Sequence, residues 1–125
     1  MTVHKAIAKA DLLKPNMFGE AEKIEWLSRL EMRIYQEIIC THEYNEGEEE
    51  ITFNGLTEGD GEKELFAGQP YDEMYIHWLE AMIDYYNMET EGFNNANTVF
   101  EAVFGSFRNA YNQSHRPKGV RKRYF

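Results

Sequence analysis

The 125 residues carry 22 Asp and Glu against 13 Lys and Arg, a formal net charge of −9, which argues against nucleic acid as the main ligand because phosphate binding is carried by Lys and Arg. The single cysteine, Cys40, excludes an internal disulfide. No stretch approaches the ~20 apolar residues of a membrane span.

At 42% hydrophobic and 14% aromatic, the chain holds apolar material for one core, and a domain of this length folds without staples. A lone cysteine agrees with a reducing compartment, and the N-terminus leads into no long apolar run, so no secretory signal is expected.

In chain order, residues 2–14 place Val3, Ile7 and Ala10 on one face of a short helix that Thr2 can cap. Pro15 stops it. A second helix is predicted from Glu20 to Thr41, with Ile24, Leu27, Leu30, Ile34 and Ile38 on one stripe. Glu25–Arg29 and Arg33–Glu37 are helical ion pairs on its other side. Trp26 falls on that charged side, where it is either a single exposed aromatic or, the preferred reading, an interface anchor.

From His42 to Gln69 the helical period disappears. Ile51-Thr52-Phe53 and Glu64-Leu65-Phe66 are short β-like runs with Gly-containing turns between them, giving a two-stranded ribbon or a long mobile loop. Pro70 is expected as the first residue of the third helix. Tyr71, Tyr75, Trp78, Leu79, Met82 and Tyr86 form its apolar face, with Glu73, His77, Glu80 and Asp84 opposite. Asn87 is expected to end that helix in a left-handed conformation. The fourth helix runs from Glu89 to Ser114 with Phe93, Ala96, Phe100, Val103, Phe104, Phe107 and Tyr111 on its core stripe.

The predicted fold is mostly α: a small helical bundle built on an antiparallel helical hairpin, with residues 42–69 as a loop or β-ribbon insertion. A single bent helix through Asn87 stays open as an alternative. Residues 1–117 form one domain, and 118–125 a disordered basic tail.

No catalytic pattern emerges. Glu73, His77, Glu80 and Asp84 stack on one helix face, but paired-helix metal sites need inward Glu-x-x-His motifs from several helices, so a solvated polar face is the preferred reading. No nucleophile turn or Gly-rich phosphate loop is present. No catalytic, metal or cofactor-binding residue is expected, nor a small-molecule substrate. Partner contacts are expected instead on the uncharged side of the fourth helix, where Asn94, Asn95, Gly105 and Asn109 permit close approach by another helix. The basic end, Arg116, Lys118, Arg121, Lys122 and Arg123 with Tyr124 and Phe125, has three readings. It is a nucleic-acid-binding tail without sequence preference, a solubility tail, or a peptide that orders on an acidic partner.

Several stretches resemble a family of small proteins from the head-and-neck gene region of long-tailed phages and prophages of Gram-positive bacteria. They are Leu12-Leu13-Lys14-Pro15-Asn16, Lys23-Ile24-Glu25-Trp26-Leu27 with Leu30-Glu31, Pro70-Tyr71-Asp72, Ala81-Met82-Ile83-Asp84, Phe93-Asn94-Asn95 and Arg116-Pro117-Lys118. The family's turn after the third helix is usually Asn-Gly, where this chain has Asn87-Met88. The resemblance implies a head–tail connector (adaptor) subunit. Such a subunit forms a ring of identical copies on the portal, touches other neck and tail proteins, and works in the host bacterial cytoplasm during assembly and then in the virion neck. It carries over no catalytic residue. The rival reading is a small phage-encoded binding or regulatory module acting on a host or phage protein.

Overall fold

The computed structural model describes residues 1–119, and the expectations for Arg121, Lys122, Arg123, Tyr124 and Phe125 lie outside them. Four α-helices account for most of the described residues: α1 (Val3–Leu13), α2 (Glu20–Ile34), α3 (Glu73–Tyr86) and α4 (Thr90–Ser114). α2 continues without a break through a π-helical segment, Tyr35–Ile39. No helix among the described residues is long and apolar enough to cross a membrane.

Ring contacts and ion pairs give the directions. Tyr85 meets Phe93, Trp78 meets Phe100 and Tyr71 meets Phe107, so α3 and α4 run side by side in opposite directions. Trp26 stacks on Tyr86 while Glu31 bonds Tyr75, which sets α2 antiparallel to α3. The N-terminal ammonium lies 3.8 Å from Asp72 and Lys14 pairs with Asp84, so α1 runs parallel to α3. α3 is therefore central, with Met74, Tyr75, Ile76, Leu79, Ala81 and Ile83 all buried. The apolar stripe predicted for α2 is buried throughout, at Ile24, Leu27, Leu30, Ile34 and Ile38.

The start of α1 shows how its backbone is satisfied. Thr2 caps it by accepting from the Lys5 N–H at 3.2 Å. The Val3 and His4 N–H groups, which no helix can pair internally, donate to Lys63 O at 3.1 Å and Gly61 O at 2.9 Å.

Three expectations need correction here. Residues 42–69 form the long loop and not the two-stranded ribbon, and that loop packs against the helices. Phe53, Leu65 and Ala67 are buried, and side chains take up the backbone donors a strand would have used. The Phe66 N–H donates to Glu31 Oε2 (2.9 Å), the Ala67 N–H to the Tyr75 hydroxyl (2.9 Å) and the Leu56 N–H to Ser28 Oγ (2.9 Å). Pro70 does not open α3. It sits in a turn closed by the Tyr71 N–H on Gly68 O (2.8 Å), and the helix begins at Glu73.

Asn87 is not the left-handed residue either. At φ −89° it still donates to Ile83 O, and Met88 takes φ 60°. Glu89 N–H then reaches Asp84 O (2.8 Å) and Met88 N–H reaches Tyr85 O (3.2 Å). That pair of bonds is the Schellman ending, in which the left-handed position is usually glycine. A methionine there costs about 1 kcal/mol of backbone strain.

Candidate functional site

The polar stripe of α3 is only partly a solvated face. Asp84 is only 5% exposed and ion-paired with Lys14, because α1 lies over this side of the helix. His77 and Glu80 pair with each other at 3.0 Å and are half-buried, while Glu73 is exposed. Among the described residues no group of three His, Cys, Asp or Glu side chains converges as metal ligands would. Gly92 completes this corner, since a Cβ on it would overlap the Asp84 carboxylate.

Trp26 is a core residue and not an exposed anchor. It is 4% exposed, stacks on Tyr86 with centroids 5.3 Å apart, and its carbonyl accepts the Trp78 indole N–H at 2.8 Å. Phe18 closes its other edge at 5.3 Å. The charged neighbours of Trp26 along α2 gave the opposite impression because Phe18 and Tyr86 cover it from other segments.

Inside the bundle, one ionisable pair ties the insertion to the helices. Glu31, 2% exposed, accepts from the Tyr75 hydroxyl at 2.5 Å and from Phe66 N–H. Burial pushes its carboxyl up to about 7, against the two hydrogen bonds and the more distant Lys63 charge, which pull it down. The same burial, with Glu31 beside it, holds the Tyr75 hydroxyl well above its ordinary value.

The two ends of the bundle differ. At one end, the insertion meets the C-terminal part of α4. His42 Nδ1–H donates to Ile38 O at 2.6 Å and its Nε2 pairs with the Asn112 amide at 2.7 Å. His115 stacks on Tyr111 and reaches Glu48 at 3.1 Å, and the Asn45 N–H together with that bond lowers the Glu48 carboxyl. Around this clasp Glu43, Glu46, Glu49 and Glu50 are all exposed, so the end is acidic. Arg116 and Lys118 lie against it. Glu43 N–H donates to Arg116 O (2.7 Å), Lys118 N–H donates to Thr41 O (2.8 Å), and the Lys118 ammonium sits 5.9 Å from the Tyr44 ring.

At the other end, two connections and the helix ends beside them present apolar side chains, of which helical periodicity singled out Tyr86 alone. Leu12 and Leu13 project from the last turn of α1 and Met17 from the α1–α2 connection, while Tyr85 and Tyr86 project from the last turn of α3 and Met88 from the turn into α4. The Lys14–Asp84 ion pair and a Phe18–Tyr86 ring contact tie the two together. The available signal was position: Leu12, Leu13, Tyr85 and Met88 are apolar residues at helix ends that fall outside the core stripes.

Between the ends runs the uncharged side of α4. Asn94, Asn95, Thr98, Ala102 and Asn109 are exposed or partly so, as is Gly105, with open space around its Cα. Asn112, next on this side, is turned to the His42 clasp. Comparison with known proteins adds no relatives: no family model, no curated protein and no solved structure matches this chain.

Proposed function

We propose that this protein is a structural assembly subunit, a head–tail connector or adaptor that repeats as a ring on a phage portal, and not an enzyme. The observation that carries the reading is the exposed side of α4. It runs most of a 25-residue helix, from Asn94 to Asn109, with small and amide side chains, and the charges at its margin, Glu101 and Arg108, pair with Arg33 and Glu37 on the α2 side. A helix side that faces only water carries Lys and Glu, whereas this one suits close packing against a neighbouring subunit. The clasped insertion supports the same reading, because its exposed glutamates would give a ring an acidic edge along which DNA slides without sticking. The resemblance to small neck proteins supplies the setting: portal and tail proteins as partners, and the virion neck as the final location.

The test is assembly. The purified chain, mixed with portal-bearing heads, should form a ring visible by electron microscopy. Gly105→Leu and Asn109→Arg should prevent the ring while leaving the isolated chain folded. A tight, salt-insensitive dimer that ignores the portal would overturn the reading and favour a regulator of another protein.

A further inference from the structure

Six of the large apolar side chains that stand out of this surface lie at the end formed by the α1–α2 connection and the α3–α4 turn, among them Met17 at 99% and Met88 at 90% exposure. A groove of about 520 Å³ opens there, lined by Tyr85, Tyr86, Met88 and Phe93 with Glu89 at its edge. Glu91 follows in the first turn of α4, and neither Glu89 nor Glu91 has a cationic partner among the described residues. Met88 is unfavourable twice over in an isolated chain, as an apolar side chain in water and as a non-glycine residue at φ 60°.

We propose that this groove receives the segment Val120–Phe125 of a second copy of the chain. The chemistry is complementary. The segment reads Val-Arg-Lys-Arg-Tyr-Phe, three cations followed by two aromatic rings. The groove offers aromatic and thioether surface with carboxylates beside it that have no cationic partner among the described residues. Ring–ring and sulfur–ring contacts provide affinity, and opposite charge fixes orientation and register.

Reach favours another copy as the donor. Lys118 is held to Thr41, beside His42, and His42 is bonded to Asn112. Phe93, in the groove, is 19 residues from Asn112 along α4, which is about 28 Å of helix. Seven residues, Gly119–Phe125, follow that anchor and span at most about 25 Å when fully extended, so a chain would have to be drawn out straight to approach its own groove, whereas a neighbouring copy can meet it without stretching. Donor and acceptor at opposite ends make a head-to-tail contact, and such contacts close into rings or run on as filaments. The proposal deepens the ring reading and rests on it only in requiring that copies meet.

The experiment uses the full chain with photoreactive p-benzoylphenylalanine replacing Phe125, irradiated as an equal mixture of ¹⁵N-labelled and unlabelled protein near its solubility limit. The expected result is mass-resolved cross-links of mixed isotope that join position 125 to residues 85–93, and that weaken as salt is added. When the unlabelled, probe-free copy carries Met88→Gly, its melting temperature should rise and its cross-links should disappear. Cross-links confined to one chain, for instance to Glu43–Glu50, would overturn the proposal. So would the absence of groove cross-links at the highest concentration reached, or their persistence with Met88→Gly. Because the readout is which segments of two copies touch, it can succeed in a chain that never docks on a portal. Its failure leaves the docking test on portal-bearing heads standing.

Discussion

Replacing Glu31 by Gln should remove a pH dependence that this one side chain writes into the stability of the whole domain. The neutral amide stands in for the protonated carboxyl: its oxygen accepts the Phe66 N–H as Glu31 does, and its NH₂ donates to the Tyr75 hydroxyl, reversing the bond in which Glu31 now accepts. In the folded chain the carboxyl titrates near 7, against 4.5 when unburied. The folded state therefore holds a proton that the unfolded chain has already released, and stability falls as pH rises from about 4.5 through 7. Across that interval the loss is about 3 kcal/mol. The groups that share the site set the sign: burial disfavours the carboxylate, and the Tyr75 and Phe66 bonds and the Lys63 charge only partly offset it. Denaturant melts of the parent and Glu31→Gln should be run from pH 5 to 8. The advantage of the variant should grow by about 2–3 kcal/mol over that range, and subtracting the two curves cancels every other titrating group. A difference that stays flat to within ~0.5 kcal/mol would show that Glu31 remains ionised in the fold, and would refute the claim that burial outweighs the hydrogen bonds.

The two α4 glycines should respond with opposite signs. Gly105→Ala enters open space in mid-helix and should raise stability by about 0.5–1 kcal/mol. Gly92→Ala drives a Cβ into the Asp84 carboxylate, which Lys14 holds, and should lower stability by about 1–3 kcal/mol despite the better helix former; thermal melts of both decide. Trp26→Ala should destabilise the isolated chain by about 3–5 kcal/mol, the cost of emptying a stacked core site. An unchanged melting temperature with lost assembly would return Trp26 to the role of a partner anchor.

Local chemistry alone determined a good deal of this protein. The α2 stripe from Ile24 to Ile38, the Thr2 cap, the Glu25–Arg29 and Arg33–Glu37 pairs (2.7 and 3.3 Å) and the buried Phe100, Phe104 and Phe107 of the α4 stripe are all as their spacing implied. Each depends only on residues within a turn or two of one another, where the 3.6-residue period leaves little freedom. What only the tertiary structure decided lies where distant segments meet. Asp84 looked solvated because the sequence cannot show α1 lying across α3, and Trp26 looked exposed because its cover, Phe18 and Tyr86, comes from a connection and another helix. Ribbon and long loop both stayed open for residues 42–69 because no local rule reveals that Glu31 and Tyr75, 35 and 8 residues away from the groups they bond, will satisfy that backbone. The apolar end is the same case reversed. Leu12, Met17, Tyr85 and Met88 are scattered in sequence, and they become one surface only when Lys14 and Asp84 bring two connections together. Burial is a sum over everything that surrounds a side chain, so periodicity reports the face a helix offers and the packed fold alone reports what covers it.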